Sequence, residues 1–182
     1  YEYDVFGNRS AVVEDGVRTE FLVDPFALGM GSPVAEYSGG ERVAAYLYGL
    51  NAIAQQTATG TYYFEGDAVG SVTGVTGVAG TQANAYAYDP FGRQLLEIET
   101  VVNRLEFNGL FGVEEADSGL SFVRARFYDP GQGRFTAEDP LWISGDQFNL
   151  YRFAFNDSVS LIDPAGLKSS YSQVIGDFLD AG

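Results

Sequence analysis

Residues 85–98 read AYAYDPFGRQLLEI and contain the local pattern that decides the fold. Alternating small and aromatic residues lead into the turn YDPFGR at 88–93, and apolar residues follow directly after it. In such a turn the Asp side chain can accept hydrogen bonds from the backbone that follows, Pro presets φ, and Gly adopts the positive φ that closes the turn. The stretch therefore predicts two antiparallel strands joined by a hairpin turn.

The same combination of an aromatic residue, an Asp and a closing Gly recurs elsewhere in the chain. Its other copies, with variations, lie at residues 3–9, 63–71 and 128–134. Five of the six prolines directly follow an Asp, so Pro marks turns here and not strand interiors. With 15% aromatic residues and 23 glycines, the composition suits pleated strands separated by tight turns. The chain is predicted to be all-β and built from hairpins.

Three weaker segments complete this interpretation. The Gly, Val and Thr-rich stretch 69–80 is predicted to form a hairpin and not a flexible linker, because its valines have strand character. Residues 57–61 are predicted to form a turn. Residues 170–179 combine Ser with apolar residues at helical spacing and predict a short amphipathic helix at the end of an otherwise all-β chain.

Composition also excludes several functional classes. The net charge of −15 opposes binding to a phosphate backbone, so no nucleic-acid partner is expected. With no Cys and no His, the chain has no disulfide, thiolate or imidazole chemistry, and we expect no metal and no cofactor. No apolar run is long enough to span a bilayer. The chain begins without an initiating Met or a basic region, so any targeting signal is expected upstream.

From Tyr86 onward, an ordered series of motifs resembles the Rhs repeat-associated core domain of YD-repeat proteins. The series comprises YDPFGR at 88–93, FNG at 107–109, RARFYDP at 124–130, GRF at 133–135, DP at 139–140, NLYRF at 149–153 and DPAGL at 163–167. Members of this family include bacterial Rhs toxins and the C component of insecticidal toxin complexes. The earlier Tyr-Asp turns extend the resemblance over nearly all the remaining chain.

The resemblance implies a β-sheet that spirals into a hollow shell, with the core domain closing one end. Residues 1–85 would be a YD-repeat shell segment, 86–167 the core domain, and 168–182 the start of a variable C-terminal region. The implied partners are the chain's own C-terminal toxin or effector region, enclosed in the shell, together with secretion machinery or another toxin-complex component. The implied location is outside the producing bacterium, secreted, delivered or at the cell surface.

In this family the region after DPAGL is commonly released by autoproteolysis, so the resemblance places the scissile bond between Leu167 and Lys168. Without His, Cys or a metal cluster, two carboxylates that share a proton are the remaining familiar means of hydrolysing a peptide bond. The resemblance assigns these roles to Asp139 and Asp163. Arg126 matches a family arginine and would hold one carboxylate ionised or stabilise the oxyanion. The predicted activity is a single-turnover aspartic autoprotease.

Less specific interpretations stay open from the sequence alone. An Asp before Pro is most often only a turn residue, and Arg124 and Arg126 alternate as if on a strand, where they could pair with surface acids. The alternative function is a non-catalytic YD-repeat module that serves as a scaffold or binds glycans at a cell surface. An enzyme acting on external substrates has little support, because no phosphate loop or nucleotide motif is present.

Overall fold

The computed structural model describes residues 1–116, 119–141, 149–167 and 169–171. In this part of the chain almost all regular structure is β, which confirms the predicted all-β class. Three 3₁₀ helices of one turn each occur at Ala27–Gly29, Gly109–Phe111 and Ala154–Asn156. No helix among the described residues is long and apolar enough to cross a membrane.

The first ten strands form one sheet in which every strand pairs antiparallel with the next strand along the chain. The strands are β1 (Glu2–Tyr3), β2 (Arg9–Glu14), β3 (Val17–Asp24), β4 (Ser32–Ser38), β5 (Glu41–Tyr48), β6 (Ala52–Thr57), β7 (Gly60–Gly66), β8 (Val72–Gly77), β9 (Gln82–Tyr88) and β10 (Gln94–Ile98). Stretch 69–80 was predicted to form a hairpin. It supplies the single strand β8, paired with β7 and β9, so its strand character is confirmed but the hairpins extend beyond the stretch. Residues 57–61 contain the predicted turn, between β6 and β7.

The Tyr-Asp turns owe their shape to the Asp side chain. Asp89 Oδ1 accepts hydrogen bonds from the amides of Phe91 at 2.9 Å and Arg93 at 3.0 Å. Asp4 and Asp67 accept the same pair of bonds, from the amides two and four residues further on. Asp129 instead bonds the amide three residues on. Each of the four turns joins two consecutive antiparallel strands, which confirms the hairpin interpretation.

Residues 99–113, here called the crossing segment, run over one face of the ten-stranded sheet. Asn84 Oδ1 on β9 accepts the amides of Thr100 at 3.0 Å and Val101 at 3.1 Å. Further along, the Val72 amide donates to the Glu106 carbonyl at 2.9 Å. Between these two points, Arg104 forms an ion pair with Glu14 on β2, at 2.8 Å. The crossing segment thereby ties distant strands of the sheet together.

A second sheet follows the crossing segment, with strands β11 (Glu114–Ala116), β12 (Leu120–Val123), β13 (Arg126–Asp129) and β14 (Arg134–Phe135). Its apolar side chains and those of the crossing segment share a core in which Phe107, Tyr128, Phe135 and Phe153 pack together. The Tyr128 and Phe153 ring centroids are 4.2 Å apart. This core fixes β13, which begins with Arg126, and β14, whose Phe135 ring packs against the Arg126 guanidinium.

The last strands, β15 (Leu161–Ile162) and β16 (Ser170–Tyr171), form a two-stranded sheet. Ser170 and Tyr171 were predicted to begin a helix; they are instead paired with β15, because tertiary pairing overrides a weak local helical pattern. The rest of the predicted helix lies outside the described residues. The division at 85/86 and the assignment of 168–182 stay predictions; strand β9 spans residues on both sides of the first boundary.

Candidate active site

Arg126 lies at the centre of the predicted site, at the start of β13. Its side chain is 2% exposed, and its guanidinium lies 3.6 Å from the centre of the Phe135 ring on β14. Nη2 is 3.1 Å from Asp139 Oδ2 and 3.5 Å from Asp163 Oδ2. The structure thus brings the three predicted residues together, with one nitrogen atom in contact with both carboxylates.

The remaining nitrogens of Arg126 hold the backbone of two other segments. Nε donates to the Gly166 carbonyl at 2.6 Å, and Nη1 donates to the Leu150 carbonyl at 3.0 Å. Burial lowers the pKa of Arg126 from its ordinary value, and the negative charges of Asp139 and Asp163 oppose that effect. All three guanidinium nitrogens therefore have a partner, so the position of the group is closely determined.

Asp139 reaches the site because the chain after β14 runs beside residues 150–152. The Phe135 amide donates to the Tyr151 carbonyl at 2.9 Å, and the Asp139 amide donates to the Leu150 carbonyl at 3.0 Å. Asp139 Oδ1 accepts a hydrogen bond from the Leu141 amide at 2.9 Å, as in other Asp-Pro turns. The other oxygen, Oδ2, faces Arg126. The side chain is 17% exposed and therefore within reach of water.

Asp163 follows β15, and its side chain is 3% exposed. Its backbone carbonyl accepts the Gly166 amide at 3.2 Å, and its Oδ1 accepts the Leu167 amide at 3.0 Å. DPAGL therefore forms a tight turn, here called the DPAGL turn (163–167), that folds back onto Asp163, the first residue of the motif. The Asp163 carboxylate thus contacts the backbone amide of the residue at the predicted cleavage point.

Gly166 is required by this geometry. Its φ is +68°, and a Cβ added there would lie 2.4 Å from the Val123 carbonyl oxygen. A side chain at this position would push the DPAGL turn away from the β12–β13 hairpin. The glycine of the motif therefore allows the close backbone approach that the site needs.

The predicted cleavage point is described only in part. Leu167 is partly buried beside Asp163, whereas Lys168 lies outside the described residues. Arg126 was predicted to stabilise the oxyanion or hold a carboxylate; among the described residues it contacts both carboxylates and the carbonyl of Gly166, one residue before Leu167. The ion-pairing part of that hypothesis is the part supported by these contacts.

Two contributors to the site escaped sequence reasoning. Leu150 acts only through its carbonyl, which no side-chain pattern could have indicated. Arg124 was interpreted as a strand residue that could pair with surface acids. It lies instead in the two-residue turn between β12 and β13, and its Nη1 donates to the Pro164 carbonyl at 2.5 Å. The alternative of simple surface ion pairs does not apply to Arg126 either, since it is buried.

One group of carboxylates in the described part of the chain is compact enough to bind a metal ion. Oxygens of Glu97, Glu99 and Glu106 lie within 4.8 Å of one another. Two of these residues are exposed, and buried Glu106 already accepts a hydrogen bond from Gln94 at 3.0 Å. We assign no metal to this group, and the expected absence of metals and cofactors stays a prediction.

Comparison with curated proteins finds similar segments in bacterial toxins. The chain is 35% identical over 114 residues to the double-stranded DNA deaminase toxin A of Burkholderia cenocepacia, covering 61% of this chain and 8% of that protein. It is 29% identical over 175 residues to the tRNA3(Ser)-specific nuclease WapA of Bacillus spizizenii, covering 91% of this chain and 7% of that protein. The chain thus spans less than a tenth of the length of these relatives.

Comparison with solved structures finds the same fold in toxin complexes. The crystal structure of TcdB2-TccC3-TEV matches with a TM-score of 0.70 at 20% identity, covering 92% of this chain and 9% of that one. The Tc holotoxin pore of Photorhabdus luminescens matches with a TM-score of 0.69 at 18% identity, covering 93% and 9%. At this identity the likeness concerns the fold, and it agrees with the predicted β-shell.

A sequence model of the Teneurin YD-shell matches residues 37–159, which is more than half of the chain. The match includes β5 to β14, the crossing segment, Arg126 and Asp139, and it agrees with the turn pattern from which the resemblance was drawn. The chain therefore belongs to the Teneurin YD-shell family.

Proposed function

We propose that this chain closes one end of a YD-repeat β-shell and cleaves its own backbone after Leu167, which releases an enclosed C-terminal effector. The observation that carries this proposal is the convergence of Asp139 and Asp163 on Arg126 Nη2, at 3.1 and 3.5 Å, beside the Leu167 amide. Two carboxyl groups at one site can divide the work of hydrolysis, one acting as the base and the other as the acid.

The roles of the two aspartates follow from their exposure. Asp139 is the more exposed carboxylate, so it activates water by accepting a proton as the water oxygen attacks the Leu167 carbonyl carbon. Asp163, buried and in its protonated form, donates a proton to the carbonyl oxygen. Collapse of the tetrahedral intermediate breaks the bond to Lys168, whose nitrogen takes the proton from Asp139, while one hydroxyl of the intermediate returns a proton to Asp163. Water is consumed, and a Leu167 carboxyl and a Lys168 amine are formed.

Positioning supports the same proposal. The Leu167 carbonyl that water would attack belongs to the same chain as the two carboxylates. The DPAGL turn, which contains Leu167, is held by Asp163, Arg126 and the Gly166 backbone. An intramolecular arrangement of this kind gains from high effective molarity. Cleavage would be a single event for each chain.

The cargo is inferred from the relatives. Proteins named as a DNA deaminase toxin and a tRNA nuclease have different activities, yet both contain a segment similar to this one. Their shared segment is thus better suited to a common shell than to either activity. We propose that the present chain belongs to a longer toxin that is delivered outside the producing bacterium. Its partners would be its own C-terminal effector and the components of a delivery system.

The test is to express the full natural chain and to measure fragment masses over time. We expect two fragments, with a new C-terminus at Leu167. Asp139→Asn and Asp163→Asn should each slow cleavage by about 100-fold or more, since each removes one member of the acid-base pair. Asp129→Asn is the matched control, because Asp129 also precedes Pro in a turn but lies outside the site.

A wild-type chain that stays intact, as the Asp139→Asn chain is expected to do, would contradict the proposal. Binding of that intact chain to a glycan array would then favour the alternative, a non-catalytic surface module.

A further inference from the structure

Arg124 connects three parts of the molecule that are far apart in sequence. Its Nε donates to the Gly31 carbonyl at 2.9 Å and its Nη2 to Ser32 Oγ at 2.7 Å, both at the start of β4. Nη2 also donates to the Phe111 carbonyl at 3.1 Å, and Nη1 donates to the Pro164 carbonyl at 2.5 Å. One guanidinium therefore joins the ten-stranded sheet, the crossing segment and the DPAGL turn.

These contacts are unusual for a charged side chain. All four acceptors are neutral, and no carboxylate forms an ion pair with Arg124 in the described part of the chain. Its backbone also adopts a φ of +46°, a conformation that is costly for a residue other than glycine. Burial lowers its pKa. The charge of Glu114 opposes the effect of burial only in part. A strained, desolvated cation whose hydrogen-bond acceptors are all neutral is not an efficient way to stabilise a fold, which indicates a positional role.

Space for the guanidinium is provided by glycine. A Cβ at Gly112 would lie 2.7 Å from Arg124 Nη2. A planar fork with five donors can reach several separate carbonyls at once, which a lysine ammonium cannot do in the same geometry. The site is thus built for arginine.

The main consequence concerns the DPAGL turn. Three consecutive residues bind three consecutive carbonyls: Arg124 binds that of Pro164, the Ala125 amide that of Ala165 at 3.3 Å, and Arg126 Nε that of Gly166 at 2.6 Å. Arg126 also contacts the two aspartates. Arg124 is the member of this set that also binds β4, so it fixes the turn relative to the ten-stranded sheet.

We propose that Arg124 is a positioning residue for self-cleavage, which holds the DPAGL turn against the ten-stranded sheet so that Asp163 and Leu167 stay aligned with Asp139. The role in cleavage that this inference gives to Arg124 rests on the proposed function. The alignment itself can be measured without cleavage.

The first experiment measures hydrogen exchange of backbone amides in the full natural chain carrying Asp139→Asn, which prevents the proposed cleavage. Arg124→Met should raise exchange at the Gly166 and Leu167 amides by about 10-fold or more, since a charge-assisted hydrogen bond that orders the turn is lost. Exchange at the Tyr128 and Phe135 amides in the core should stay unchanged. Arg124→Lys should give an intermediate rise, and Arg42→Met, which alters an exposed arginine on β5, should give none.

Unchanged exchange at Gly166 and Leu167 in Arg124→Met would overturn the inference. A rise of equal size across the whole core would overturn it too, because it would show a general structural role. Neither result depends on whether the chain cleaves itself.

The second experiment measures the rate of cleavage in the otherwise native chain. Arg124→Met should cleave about 10-fold or more slowly with an unchanged pH profile, and added guanidinium at non-denaturing concentration should partly restore the rate of Arg124→Ala. Equal rates for wild type and Arg124→Met would overturn the positioning role while leaving autoproteolysis intact. A wild-type chain that does not cleave would refute the proposed function, and hydrogen exchange would then decide the alignment by itself.

Discussion

Asp163 Oδ1 accepts the amide of Leu167 at 3.0 Å, so one side chain closes the DPAGL turn and lies beside the residue at the proposed cleavage point. The same aspartate contacts Arg126 through its other oxygen. A turn-forming residue and a candidate catalytic residue are thus the same group. The first and last residues of the DPAGL turn, four positions apart, are thus joined by one hydrogen bond.

The first prediction concerns Gly166. Gly166→Ala should lower the free energy of unfolding by about 1–3 kcal/mol and stop self-cleavage, since the added Cβ meets the Val123 carbonyl in a left-handed backbone conformation. Gly80→Ala is the matched control, because Gly80 has a similar φ of +74° but open space around it. Urea unfolding of both variants separates the clash from the backbone cost. Equal losses would show that the contact with Val123 is unimportant.

The second prediction concerns a buried acid. Burial, together with the charges of Glu115, Glu99 and Glu97, raises the pKa of Glu106 from its ordinary value of 4.5 to about 8. The protonated form is therefore favoured in the folded state. Its contribution to stability is fully present below pH 4.5 and is lost as the pH rises through 8.

Glu106→Gln should abolish this dependence, because the amide keeps the shape of the side chain without a charge. Urea unfolding at about pH 6 and about pH 9 should show a wild-type loss of roughly 1–3 kcal/mol that the variant lacks. Glu41→Gln, at an exposed position on β5, should retain the wild-type dependence. An identical pH dependence in wild type and Glu106→Gln would contradict the assignment.

The third prediction concerns the ion pair between Arg9 on β2 and Glu114 on β11. Both side chains are buried, with exposures of 2% and 6%, and the Arg9 guanidinium lies 4.4 Å from the Phe122 ring centre. Arg9→Met should cost about 3–5 kcal/mol by leaving Glu114 charged and unpaired. In a double-mutant cycle, adding Glu114→Gln should recover part of that loss.

Arg18→Met tests the corresponding exposed pair. Arg18 pairs with Glu2 and with Glu20, and all three side chains are about half exposed, at 44% for Arg18 and 52% for each glutamate. The loss of both pairs should therefore cost less than about 1 kcal/mol. Chemical denaturation of all four variants gives the comparison. Additive losses in the Arg9–Glu114 cycle would show that the two residues are not coupled.

The fourth prediction concerns the aromatic core that carries β13 and β14. Phe153 is 2% exposed and contacts Tyr128, Phe107 and Phe135. Phe153→Ala should cost about 3–5 kcal/mol through the cavity that it leaves. Phe6→Ala, at a side chain that is 86% exposed, should change stability by less than about 0.5 kcal/mol. Thermal unfolding distinguishes the two, and a small effect of Phe153→Ala would contradict the assignment of this core.

Much of the fold could be predicted because its turns are local. In three of the Tyr-Asp turns, the Asp bonds amides only two and four residues further on, so a few neighbouring residues decide the hairpin wherever they occur. Antiparallel pairing of successive strands then follows from the turns themselves. The helical pattern after residue 169 was the weaker signal, since strand pairing at Ser170 and Tyr171 depends on a partner eight or more residues away.

The candidate site, like the fold, could be predicted from the sequence only in part. The sequence by itself determined the all-β class and the Tyr-Asp hairpins, because these depend on short motifs whose hydrogen bonds are complete within a few residues. Asp139, Asp163 and Arg126 were predicted from the family resemblance of the motifs that contain them, and their catalytic roles stay a proposal. Only the tertiary structure decided that one nitrogen of Arg126 contacts both aspartates, that the Leu150 carbonyl holds that arginine, and that Arg124 reaches Gly31. Those contacts join residues from 13 positions apart, as in Arg126 and Asp139, to 93 positions apart, as in Arg124 and Gly31. A backbone carbonyl is present whatever the residue type, so sequence cannot indicate which carbonyl an arginine will bind. They exist only once the crossing segment and the second sheet have packed onto the first.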